Sequence, residues 1–217
     1  MYPWTLMSTA EKAGLRQNKQ GDEMKIIGLT GGTGSGKGFV SERLKARKAY
    51  VIDADAVAHE IIEKGRPAYK AIVDYFGSEI LDEDGNIFRR KLGNIVFSDK
   101  DKLAFLNSCT HKYINMEIMR IIEEVKPQTN VYSAIIIDAP LLAEAGLVDI
   151  CDDIWVVYAD SEVRVKRIME RDSISEEQAR NRIASQRSWE EYKELGAVII
   201  DNSSDDENVE RQLDALL

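Results

Sequence analysis

MKIIGLTGGTGSGKGFV, residues 24–40, is the stretch on which the fold turns. The apolar run Lys25 to Leu29 is continuous enough for a strand buried on both faces. A glycine-rich loop follows, then Lys37, then Phe39, Val40 and Leu44 at the spacing of an amphipathic helix. Gly31, Gly36 and Lys37 satisfy a GxxxxGK pattern. In that setting the loop's backbone N–H groups turn inward around phosphate oxygens, the helix adds its positive end, and the lysine reaches the outer phosphates. An ordinary glycine-rich turn is the plain alternative, and the strand before and helix after argue against it. Gly38 stands where a serine or threonine hydroxyl would ligate magnesium.

Outward from this loop, short apolar runs alternate with amphipathic stretches, the pattern of an α/β chain with a parallel sheet and crossover helices. Strands are expected at Lys25 to Leu29, Ala49 to Ile52, Val131 to Ile137, Ile154 to Tyr158 and Ala197 to Ile200. A long helical region between the second and third strands carries apolar spacing at Val57/Ile61, Tyr69/Ile72/Val73/Phe76 and Ile114/Ile118/Ile121/Ile122/Val125. Gly65-Arg66-Pro67 and the turn Asp82 to Asn86 interrupt it. Residues 1–23 lack sustained periodicity and are expected to be a flexible extension, with Met24 as an alternative start of translation.

Bulk properties narrow the function classes. The chain has 217 residues, 44% apolar and 31% charged, with 4 prolines and no low-complexity tract, as for one globular unit. No run approaches the roughly 20 apolar residues of a membrane span, and no secretory signal layout is present, which predicts a cytoplasmic protein without membrane contact. A net charge of -9 argues against broad nucleic-acid binding, so any anion site must be local. Cys109 and Cys151 lack metal-ligand or disulfide spacing and are expected to be core thiols.

Three further clusters bear chemistry. Val51-Ile52-Asp53-Ala54-Asp55 ends a strand in two carboxylates, with Asp55, His59 and Glu63 at i, i+4 spacing on one helical face. At the carboxyl end of a strand such groups meet ligands, and Asp55 could accept a hydroxyl proton or orient that hydroxyl toward a γ-phosphate. Either aspartate could instead simply cap the helix. Arg164, Arg167, Arg171, Arg180, Arg182 and Arg187 gather in two expected helices, Ser161 to Arg171 and Ser175 to Arg187, the second opened by the capping box Ser175/Gln178. A mobile lid would bring guanidinium groups over a γ-phosphate in this way, with Arg171 the preferred contact. A solvated face pairing with Glu162, Glu170, Glu176 and Glu177 would account for many of these arginines. Finally, the strand AIIID delivers Asp138, placed to hold magnesium through water, before Pro140-Leu141-Leu142, a possible apolar wall or ordinary strand-end packing.

Taken together, GLTGGTGSGKG (28–38), VIDADAVAHE (51–60), FGSEILDEDGNIFRRKLGNIVFSD (76–99), DAPLLAEAG (138–146), RIMERDSISEEQARNRIASQ (167–186) and VIIDNSS (198–204) resemble the successive motifs of the dephospho-coenzyme A kinase family. The resemblance covers residues 24–217. It implies a P-loop kinase fold, a five-stranded parallel sheet flanked by helices. The implied core comprises 24–56, 129–160 and 191–217, with a helical acceptor subdomain over 57–128 and a helical lid over 161–190. It implies transfer of the γ-phosphate of ATP, with Mg2+, to the ribose 3′-hydroxyl of dephospho-coenzyme A, the last step of coenzyme A synthesis, and no obligate protein partner.

By motif, Lys37, Asp55 and Arg171 are the implied catalytic residues. Gly32, Thr33, Gly34, Ser35, Gly36, Lys37, Gly38, Phe39 and Asn202 would meet ATP, Asn202 near the adenine. Asp55, His59, Arg89, His111, Pro140 and Leu141 would meet the acceptor. Two positions depart from the pattern. Gly38-Phe39 replaces two hydroxyl residues, as adenylate kinases also place glycine after the lysine and still use magnesium; waters, ATP oxygens and Asp138 would then hold the ion. Lys112 replaces the usual proline after His111. The competing readings are a P-loop kinase for another nucleoside or nucleotide, and an ATP-binding module impaired in transfer. A GTPase is disfavoured because no Asn-Lys-x-Asp segment is present.

Overall fold

Five parallel strands form one sheet in the order β2-β3-β1-β4-β5, in a computed structural model that describes residues 23–195 and 198–217. The strands are β1 Lys25–Thr30, β2 Tyr50–Asp53, β3 Ala134–Asp138, β4 Asp153–Tyr158 and β5 Val198–Asp201. Ile135, Ile136 and Ile137 of β3 are wholly buried, because helices cover both faces of the sheet.

Alternation along the strands sorts side chains between two layers. Ile27, Leu29, Ile136, Trp155 and Val157 pack with Val40 and Leu44 of α1 (Lys37–Ala46) and with Val209 and Leu213 of α9 (Asp206–Leu216). On the opposite face Ile26, Ile135, Ile137, Ile154 and Val156 meet Val57 of α2 (Ala54–Glu60) and Ile114, Ile118 and Ile122 of the long α5 (Lys100–Val125). Each such isoleucine or leucine contributes about 1.5–3 kcal/mol by leaving water.

Two satellite cores stand apart from these layers. Ile72 and Phe76 of α3 (Pro67–Phe76), Ile80, Ile87, and Leu92 and Val96 of α4 (Arg89–Phe97) form one. Pro67 sits at the first position of α3, where its missing N–H costs nothing. The expected turn at 82–86 bends through Gly85 and lets Leu81 bridge Ile87 in antiparallel fashion. The second satellite joins Val165 and Ile168 of α6 (Ser161–Asp172) to Ala179 of α7 (Glu176–Ala184), and α8 (Trp189–Lys193) follows. The capping box Ser175/Gln178 is present with both of its hydrogen bonds.

Several boundaries differ from expectation. β3 starts at Ala134 rather than Val131, because Val131 and Tyr132 donate to the Gln128 carbonyl in a turn that ends α5 and its following residues. The helix expected over Ser175 to Arg187 is α7, which stops at Ala184, three residues short of Arg187. α2 ends at Glu60, so Glu63 lies in the following turn and does not extend the face shared by Asp55 and His59. The expected start of the fifth strand at Ala197, and residues 1–22 of the extension expected over 1–23, lie outside the described residues. Among the described residues no helix is long and apolar enough to cross a membrane.

Candidate active site

β1 ends beside β3 and β4, its register pairing Leu29 with Asp138 and Thr30 with Val156. Asp138 also pairs in register with Asp53, so three strand ends form one carboxyl edge, where ligands of open α/β sheets bind. The loop from Gly31 rises from this edge into α1. A cavity of about 430 Å³ opens above it, walled by Gly31, Gly32, Thr33, Gly34, Gly36, Lys37 and Gly38 from the loop. Pro140 closes one side, and Arg167, Arg171 and Gln186 close another.

The loop's shape is enforced from below. Asn202, 3% exposed just past β5, donates its amide Nδ2 to the Ser35 carbonyl at 2.8 Å. Gly36 takes φ 87° over that amide, and a Cβ there would collide with Asn202 Nδ2. Asn202, the residue expected near the adenine, thus holds the loop through one N–H of its amide. Ser35 is buried with its hydroxyl unbonded, and neither it nor Phe39 lines the cavity. Phe39 instead packs against the core layer that contains Val40, Leu44 and Leu213, with Arg43 Cζ 4.7 Å from its ring centroid.

Lys37 Nζ pairs with the Asp138 carboxylate, which is 8% exposed. Thr30 donates its hydroxyl to the Pro140 carbonyl at 3.1 Å, fixing the start of the loop that carries Pro140 and the exposed Leu141.

α6 leans on the loop backbone. Arg164 Nε donates to the Thr33 carbonyl at 2.9 Å, and Arg167 Nη1 approaches the Gly34 and Ser35 carbonyls at 3.5 and 3.4 Å. Burial holds the Arg164 guanidinium below its ordinary pKa, and its Nη2 has no hydrogen-bond partner among the described residues. Arg171 Nη2 reaches Thr33 Oγ1 at 3.4 Å while its Nε and Nη2 bind the Asp172 carboxylate. Gln186 Oε1 accepts from the Thr33 N–H at 2.7 Å.

The remaining arginines have local partners. Arg180 binds Glu162 and Glu176, Arg182 binds Asp172, and Arg187 Nε donates to Glu144 at 2.7 Å, tying the lid to the loop after β3. Of the expected pairing acids, Glu162 and Glu176 serve; Asp172 and Glu144 were not anticipated.

The residues expected on the acceptor side are dispersed around the edge. Asp53 caps α2, accepting from the Asp55 and Ala56 N–H groups at 2.9 and 3.0 Å, and Asp55 is exposed in the first turn of that helix. His59 lies one turn further along α2 and is also exposed. His111 is half-buried on α5, one turn before Asn115, whose Nδ2 donates to the Ala145 carbonyl at 3.1 Å. Arg89 opens α4, exposed and with no ion pair among the described residues. The structure thus unites Lys37, Asp138, Pro140 and Arg171 in the cavity wall or directly against it. Asp55, His59, Arg89, His111 and Leu141 lie outside that wall. Arg164 belongs to the arginine cluster legible in the sequence, whereas Gln186 has no such pattern around it.

A family model described as dephospho-CoA kinase matches residues 25–208. A dephospho-CoA kinase of Carboxydothermus hydrogenoformans is 43% identical over 194 residues, covering 89% of this chain and 93% of that protein. Among solved structures, dephospho-CoA kinase from Campylobacter jejuni superposes with a TM-score of 0.67 at 26% identity, over 88% of this chain and 94% of that one. A Thermus thermophilus protein superposes with a TM-score of 0.73 at 29% identity, over 89% and 96% respectively.

Proposed function

This chain belongs to the dephospho-CoA kinase family, and from that premise we propose that it transfers the γ-phosphate of ATP to the ribose 3′-hydroxyl of dephospho-coenzyme A, yielding ADP and coenzyme A. The observation that carries the reading is the phosphate loop with Lys37 beside Asp138, roofed by Arg167 and Arg171 and flanked by Pro140. The 3′-oxygen forms a bond to the γ-phosphorus as the bond to the bridging oxygen of ADP breaks, and the hydroxyl proton leaves.

Each group has a part in that displacement. The loop N–H groups and Lys37 hold the outer phosphates and oppose their growing charge. Arg171 adds a guanidinium to the transferring group, and the lid excludes water. Asp55 receives or orients the hydroxyl proton, with His59, Arg89, His111 and Leu141 as acceptor contacts. Asn202 serves ATP by shaping the loop through its bond to the Ser35 carbonyl, and its second N–H and its Oδ1 face the adenine contact in this reading.

Magnesium is tested against the residues present. Gly38 offers it no side-chain oxygen, and among the described residues no group of three acidic, histidine or cysteine side chains converges on a common point. Asp138 is the carboxylate at the loop, so the ion would be carried in by ATP oxygens and waters with Asp138 as its outer contact. Bound, it would neutralise charge on the phosphates.

The test is incubation of the full chain with ATP, magnesium and dephospho-coenzyme A, following ADP and coenzyme A together. Equimolar formation of both is expected. The absence of the metal-ligating hydroxyl favours one second reading, an ATP-holding module; ATP bound with no coenzyme A formed is its signature and refutes the kinase assignment. Activity on another nucleoside alone would move the assignment to a different acceptor.

A further inference from the structure

Thr33 sits where three groups of the lid converge. Its carbonyl accepts from Arg164, its hydroxyl lies 3.4 Å from Arg171, and its N–H donates to Gln186. Of these, the Gln186 contact differs in kind. Backbone N–H groups of the loop are the donors that cradle phosphate oxygens. In this structure one of them is taken by a neutral side-chain oxygen at 2.7 Å. The donor fixes the orientation of the carboxamide, with Oε1 toward Thr33, which leaves its NH₂ group free to donate elsewhere.

The close approach depends on Gly32. A Cβ on Gly32 would lie 2.5 Å from Arg164 Nη2 and 3.4 Å from Gln186 Oε1. The missing side chain is therefore what seats this end of the lid against the loop. Gln186 also lines the same cavity as Lys37, Arg171 and Pro140.

We propose that Gln186 reads the terminal phosphate and so distinguishes ATP from ADP. Its oxygen occupies the Thr33 N–H until a γ-phosphate oxygen takes that donor. The terminal torsion of the side chain then turns so that its NH₂ group donates to the same phosphate. ADP has no γ-phosphate, leaves the Thr33 to Gln186 bond in place and gains nothing from the side chain. This assignment rests on the ATP-dependent kinase reading above.

The experiment measures magnesium-ATP and magnesium-ADP dissociation constants by calorimetry on the full chain, for the wild type, Gln186→Glu and Gln186→Ala. Glutamate keeps the acceptor for Thr33 but repels phosphate, so the preference for ATP over ADP should fall about tenfold. Alanine removes the donor to phosphate, and the preference should fall about threefold or more. ADP affinity should change less than ATP affinity in both. A preference unchanged in either variant, or ATP and ADP weakened equally, overturns the proposal. Coenzyme A formation by the wild type is scored separately, so failure of the kinase reading is seen on its own and leaves the nucleotide comparison standing.

Discussion

Lys37 is the residue on which the loop and the carboxyl edge meet, its Nζ paired with Asp138. Lys37→Ala should lower kcat/KM by about 10²–10³-fold, the usual cost of one charge-stabilising donor, while thermal unfolding shifts little. A drop in melting temperature large enough to explain the lost activity would refute the catalytic role. Gly38 gives the complementary case. A Cβ there meets nothing within 4 Å, and the residue lies in the first turn of α1, where serine is well accommodated. Gly38→Ser should leave stability equal or slightly raised and tighten Mn2+ binding to the ATP complex, read by electron paramagnetic resonance; unchanged affinity would mean that the ion never reaches this turn. Residue types at the glycine loop were legible because only glycine and lysine meet those demands. Gln186 was not, since a glutamine just past a polar helix has no distinguishing spacing and its meaning comes only from Thr33, far away in sequence. A weak signal was present in its place within the RIASQ segment, after the periodic helix ends.

Helices and strands were largely legible, and their ends less so. The capping box at Ser175 was readable because both partners lie within one turn. The end of α7 was not, because the residues after Ala184 turn toward the phosphate loop to satisfy contacts such as that of Gln186. Ser175→Ala should cost about 1 kcal/mol and speed amide exchange across α7 while leaving β1 and β3 protected. Equal acceleration in the sheet would show that the lid is not a separate folding unit. The lid also carries Asp172, whose pKa is held below the ordinary carboxylate range by its hydrogen bond from Arg171, with Arg182 adding to the effect. A depressed carboxylate stabilises the fold above its unfolded pKa of 3.8 and loses that contribution as pH falls through its lower folded value. Exchange across α6 and α7 should therefore be independent of this pair from pH 5 to 8 and rise only below about pH 4, after correction for intrinsic rates. A rise near neutrality would point to a different titrating group.

At the scale of the molecule, an α/β architecture followed from alternating patterns, whereas the strand order did not. Periodicity records which residues face a layer but carries no information on which strand lies beside which, so the neighbours of β1 emerged only from the pairing of Leu29 with Asp138 and Thr30 with Val156. The same limit scattered the acceptor residues, which depend on how α2, α4 and α5 leave the sheet. ATP with magnesium at about 100 times its dissociation constant should stabilise the chain by about 2.7 kcal/mol, seen as a rise in melting temperature that grows with the logarithm of concentration. No rise at saturating nucleotide would contradict a preformed cavity. The ion pair from Arg187 to Glu144 joins the two sides of this cavity across 43 positions of sequence. Mechanically it is a clasp, since neither flap swings away until it parts. An exposed pair of this kind contributes at most about 1 kcal/mol, so it can lengthen the dwell time of enclosed molecules by no more than about fivefold. Such a clasp biases the two flaps to move together without becoming the slow step of turnover.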